Sequence, residues 1–139
     1  RNHRIKLRRL ACGGQDCGMK QDMSYENLPL INRNVLVVVP TEDFLEWARK
    51  YPDEDAALTL EELVADSTAY LIPEQAADAE SWLKQNFKSI FEIELDGWCT
   101  DPSLWPKERS LKTFKNFFRI YYCSSVVDLA DAPIDRECI

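Results

Sequence analysis

Chemistry in this chain would have to be done almost without histidine. The single imidazole, His3, lies in a basic N-terminal stretch. Cys–His and Ser–His–Asp catalysis need a nucleophile and a base within hydrogen-bond reach, so neither is expected in the rest of the chain. Cys99 and Cys123 have no neighbouring base in sequence and read as incidental thiols, unless a lysine or a helix end lowers their pKa. Cys12 and Cys17 form a C-x4-C pair beside two glycines. Zinc wants four ligands, no second pair lies near, and no metal is expected. Phosphate-binding loops are absent too. Pro40 and Pro73 follow the two early apolar runs where glycines would have to be, and proline has no N–H to offer a phosphate. No cofactor is expected.

Carboxylates are the remaining reactive groups. Glu92, Glu94, Asp96 and Asp101 gather around Gly97, and two carboxyls about 5–9.5 Å apart can hydrolyse a glycoside. Glu92 and Asp96 stand at i and i+4 and share a helix face, but solvated like charge accounts for that without any reaction. Acids at a helix C-terminus oppose its dipole, and Lys88, Lys107 and Arg109 are the cations available to compensate.

The same stretch, Phe87 to Pro106, carries two tryptophans within eight residues, Trp98 and Trp105. Each ring has on the order of 150–250 Å² of mostly apolar surface, so it must fold onto the core or meet a partner. Tryptophan and tyrosine dominate interface hot spots. The candidate binding residues are therefore Trp98, Trp105, Asp96, Asp101, Tyr121 and Tyr122, with Trp47 and Trp82 adding further aromatic material. Against this stands the plain reading that the rings cover the ends of a sheet.

Several elements must position these groups. Val35-Leu36-Val37-Val38-Val39, closed by Pro40, reads as a short strand buried on both faces. Thr41 offers an N-cap oxygen, with Glu42 and Asp43 in the first turn. Phe44, Leu45, Ala48 and Tyr51 make the stripe of a helix ended by Pro52, with Trp47 at its edge. Thr59 and Glu62 are spaced as a capping box for a short helix carrying Leu60, Leu63 and Val64. Thr68 to Ile72, before Pro73, is the second strand, and strand–helix–strand order predicts parallel pairing with a right-handed crossover.

A long helix over Glu74 to Asp96 follows, its stripe Ala79, Leu83, Phe87, Ile90, Phe91 and Leu95, with Gly97 as the left-handed residue that stops it. Asp101-Pro102 starts a single turn. Ser110 caps a last helix with Leu111, Phe114, Phe117 and Phe118 inward. Ile120 to Leu129 is the third strand. The fold class is α+β or small α/β: a three-stranded sheet, elements ordered β-α-α-β-α-α-β, with helices packed on it.

The 139 residues are one domain by size, 45% hydrophobic, and long enough to bury a core without metals or disulfides. Residues 1–33 read as a poorly structured leader, 34–131 as the domain and 132–139 as a tail. Three of the four glycines lie in the leader and the chain does not begin with Met. Met23 would make a natural start, and what precedes it reads as vector-derived, fragmentary or translated upstream sequence. Residues 1–22 hold six basic and two acidic side chains, which leaves −11 on residues 23–139 out of −7 overall. An acidic body disfavours nucleic acid. The longest apolar run is five residues, Val35 to Val39, too short to span a bilayer. An odd number of cysteines, five, without framework spacing favours free thiols and a cytoplasmic protein.

The segments NVLVVVPTEDFLEW, STAYLIPE, IFEIELDGWCTDPSLWP and SSVVDLAD resemble a family of small uncharacterised bacterial α+β proteins. The resemblance covers most of Asn34 to Asp131 and implies a compact domain with no assigned activity. The uncertain start is similar to open reading frames on mobile gene cassettes. The expectation is a non-enzymatic interaction domain that binds a protein partner or itself as a homo-oligomer. The alternatives are an inhibitor or immunity-type protein for a basic partner, and a small-molecule binder or carboxylate-based enzyme.

Overall fold

The computed structural model describes residues 28–51, 58–74 and 78–137. Pro29–Asp128 forms one compact unit; a second groups Arg1–Leu28 with Leu129–Ile139. The described residues of the second unit, 28 and 129–137, form no helix or strand. The leader before residue 28, with His3, Cys12, Cys17 and Met23, lies outside the described residues, as does Cys138.

The fold is α+β. Strand β1 (Arg33–Pro40) is central, between β2 (Thr68–Pro73) and β3 (Phe118–Cys123), and both neighbours are antiparallel to it. This corrects the expected parallel β1–β2 pair. A crossover must carry the chain back along its strand, about 26 Å for eight residues at 3.3 Å each. The intervening helices, α1 (Glu42–Ala48) and α2 (Leu60–Ala65), have seven and six residues, only about 9–10 Å each at 1.5 Å per residue. The chain therefore returns at the end where it left, and Thr68 pairs with Val38. The helix that does run the length of the sheet is α3 (Ala79–Trp98). It joins β2 to β3, which are parallel to each other with β1 between them.

One face of the sheet meets all the helices. Leu36, Val38, Ile72 and Phe118 share a core cluster with Phe44, Leu45, Trp47 and Ala48 of α1, Leu63 of α2, five residues of α3 and Phe114 of α4 (Leu111–Phe117). Burial in β1 alternates, with Leu36, Val38 and Pro40 buried and Val35, Val37 and Val39 only half-buried. The expected strand buried on both faces is thus buried on one.

Local signals fix several ends of elements. Thr59 and Glu62 make both bonds of the capping box. Asp101 accepts from Ser103 N at the head of the 3-10 turn Pro102–Leu104, and Ser110 accepts from Thr113 N at the head of α4. Thr41 stands at the N-cap of α1 but makes no cap bond; its hydroxyl donates to Asn116 O and Phe117 O, tying the β1–α1 corner to the end of α4. The long helix starts at Ala79, capped by Asp78, not at Glu74. Strand β3 is shorter than expected and starts earlier, with Phe118 as its first residue. Beyond it, Leu30 and Val127 form an isolated antiparallel bridge outside the three strands.

Gly97 does not stop α3. The helix runs through it to Trp98, and a Cβ built there meets nothing within 4 Å. Glycine inside a helix costs about 0.5–1 kcal/mol relative to alanine. Gly97→Ala is therefore expected to stabilise the domain by about that amount, read as a higher urea midpoint at unchanged slope. A lower midpoint would refute the helical placement.

Candidate functional site

The tryptophan loop is held onto the core through its own indoles. Trp98, half-buried, donates from Nε1 to Ala48 O at 3.3 Å and meets Phe44 edge-on at 6.2 Å. Trp105 donates from Nε1 to Cys99 O at 2.7 Å, and Arg109 lies over its ring at 5.8 Å. Both rings pack against the core cluster. Nearby, Trp47 Nε1 and Tyr51 OH both donate to Leu104 O. These donors stitch α1 to the turn Pro102–Leu104.

The six residues singled out from the sequence do not come together. Trp98, Trp105 and Asp101 share the loop. Asp96 is exposed on α3. Tyr122 donates to Ala79 O, at the far end of α3 from Trp98 and so about 28 Å away at 1.5 Å per residue. Tyr121, its neighbour in the strand, points to the opposite side of the sheet, because successive residues of a strand alternate.

The carboxylates likewise have separate duties. Asp101 accepts from Ser103 N and Oγ, which holds its pKa below the usual carboxylate value. Glu94 accepts from Tyr70 OH at 2.6 Å. Glu92 and Asp96 are exposed. Among the described residues no group of three or more His, Cys, Asp or Glu is placed to hold a metal. Cys99 and Cys123 are free thiols. No helix among the described residues is long and apolar enough to cross a membrane. A groove of about 500 Å³ between α1 and the loop is lined by Asp43, Glu46, Lys50, Tyr51 and Trp105, among others, and neither Asp96 nor Asp101 belongs to it.

Two tyrosines on the covered face make the domain sensitive to alkali. Burial first, then the hydrogen bond and charge of Glu94, raise the pKa of Tyr70 far above the ordinary phenol value. Tyr122 is pushed up to about 12, by burial first and then by Glu80 and Asp78. Both folded values exceed the unfolded one, so the contribution is complete below about pH 10 and is lost as pH rises further. Stability is expected to fall above that pH by at most about 1.4 kcal/mol per unit for Tyr70, less because the group is partly solvated. Urea unfolding at about pH 9 and about pH 11.5 measures it, and Tyr70→Phe should flatten the slope.

The apolar surface that sequence reasoning missed is the other face of the sheet. Antiparallel partners share a face, so the register puts Arg33, Val35, Val37, Val39, Ala69, Leu71, Pro73, Arg119, Tyr121 and Cys123 together there. None of them belongs to the core cluster. Leu71 is 51% exposed and Tyr121 53%. A two-layer domain normally turns polar residues outward on its open face, and this one turns valine, leucine and tyrosine. The signal was present in the unalternating Val35–Val39 run, whose outward residues need cover.

Compared with known proteins, the chain matches no family model, no curated protein and no solved structure.

Proposed function

We propose that this domain works by binding another protein and that the open face of its sheet, rather than the tryptophan loop, is the contact surface. The observation that carries the reading is β1, apolar on both sides yet covered on one among the described residues. The largest apolar patch on a domain, typically about 300–600 Å², is often a functional surface. The loop tryptophans already have their hydrogen-bond acceptors within the domain.

The test separates surface from core. Leu71→Asp is expected to leave the unfolding free energy within about 0.5 kcal/mol, as for exposed positions. It should weaken association about tenfold or more, because a carboxylate would be desolvated against apolar groups. Equal binding by the parent chain and the variant would remove the face from the reading. A net charge of −11 on residues 23–139 supports a second reading, an inhibitor of a basic partner steered by charge. Strong weakening of that association by salt is its signature.

A further inference from the structure

The open face has a layout that specifies its occupant. Register puts Leu71, Val35 and Cys123 in one row and Ala69, Val37 and Tyr121 in the next; Val39 with Arg119 closes one end and Arg33 with Pro73 the other. The patch measures about 14 Å across three strands and about 20 Å along β1 from Arg33 to Val39, from strand spacing and rise per residue. Its only charged residues are Arg33 and Arg119, one at each end, and no carboxylate stands on it. Arg33 donates to Asn32, and Arg119 makes no salt bridge among the described residues.

A second copy of this sheet fits poorly. The patch projects on the order of 300 Å², while stable interfaces bury about 800 Å² per partner. A facing copy would also bring two more cations and no counter-charge. A single helix, about 10 Å wide, matches the area. Lying along β1, about 13–14 of its residues span the 20 Å between the arginines. Helix-in-groove docking reads such a segment through apolar residues at i, i+3, i+4 and i+7.

We propose that the open face seats an amphipathic helix from another protein, with an apolar stripe toward Val35, Val37, Leu71 and Tyr121 and a carboxylate at each end to meet Arg33 and Arg119. This rests on the interaction reading above. The apolar stripe supplies contact area, and the two arginines select for acidic flanks and fix the helix along the strand.

The probe is a pair of synthetic helical peptides of about 16 residues, long enough to span the patch. They share one leucine stripe and carry either glutamates or lysines at the ends. Titrated onto the full chain at low salt, the glutamate peptide is expected to bind at least about tenfold more tightly. Salt should shrink that ratio, and Arg119→Glu should shrink or invert it. The glutamate peptide should also slow maleimide labelling at Cys123, located by mass spectrometry. Equal affinity for the two peptides, or no effect of Arg119→Glu, overturns the acidic helix. Cys123 protection that grows with protein concentration and no peptide assigns the face to a second copy. Protection at every concentration assigns it to the chain's own residues, and either result overturns the proposal. If Leu71→Asp changes no binding and no labelling, the interaction reading falls with it.

Discussion

Phe118→Ala is expected to destabilise the domain by about 3–5 kcal/mol, the range for removing a fully buried phenylalanine. Phe118 is 1% exposed and sits where three helices meet the sheet. Its ring centroid lies 5.2 Å from Phe44 of α1, 5.9 Å from Phe91 of α3 and 5.3 Å from Phe114 of α4. Tilted and edge-on ring pairs of this kind each add about 0.5–1.5 kcal/mol beyond area burial. Alanine would leave a cavity walled by three helices anchored elsewhere, so little collapse can offset the loss. Phe118→Leu retains most of the volume and should cost less, about 1–2 kcal/mol by the same reasoning. Urea unfolding with an unchanged slope is the measurement. A loss under about 1 kcal/mol for the alanine variant would mean that Phe118 is not in the core.

Phe118 also illustrates what local pattern can and cannot decide. Leu111, Phe114, Phe117 and Phe118 fit a helical stripe, and periodicity alone places all four on α4. The chain instead turns straight from helix to strand at Phe118, whose backbone is extended at φ −136° and ψ 140°. Its burial was legible and its element was not, since either assignment puts the ring inside. Caps were legible where the partner is three residues away, as for Thr59 with Glu62 and Ser110 with Thr113. Thr41 escaped because its acceptors, Asn116 and Phe117, lie 75 and 76 residues along the chain. Strand direction failed for a related reason: strand–helix–strand order is shared by crossovers and by excursions that return to the same end, and helix length against strand length separates the two.

The candidate site divides in the same way. That Trp98 and Trp105 need cover follows from ring area alone, but which surface supplies it is a tertiary fact. Of the six residues proposed from sequence, Tyr121 alone lies on the open face of the sheet. Detecting that face requires knowing that every helix packs on the other side, which no local window contains.

Trp98→Ala is expected to cost about 2–3 kcal/mol, below the 3–5 kcal/mol of a fully buried tryptophan because the ring is half-solvated. Two losses combine. The indole leaves Phe44, and Ala48 O loses the Nε1–H donor. Ala48 is the last residue of α1, and its carbonyl, one of those a helix end leaves short of intrahelical donors, would keep only the long bond from Tyr51 N at 3.5 Å among the described residues. Trp98→Phe separates the two, keeping most of the packing and forfeiting only the hydrogen bond, about 0.5–1.5 kcal/mol. Partner binding by the folded fraction should be unchanged in both variants, the reverse of Leu71→Asp, which should keep stability and lose binding. Measuring unfolding and binding on the same three variants therefore assigns each surface. If Trp98→Ala lost binding at unchanged stability, the tryptophan loop would be the contact and the sheet face would not.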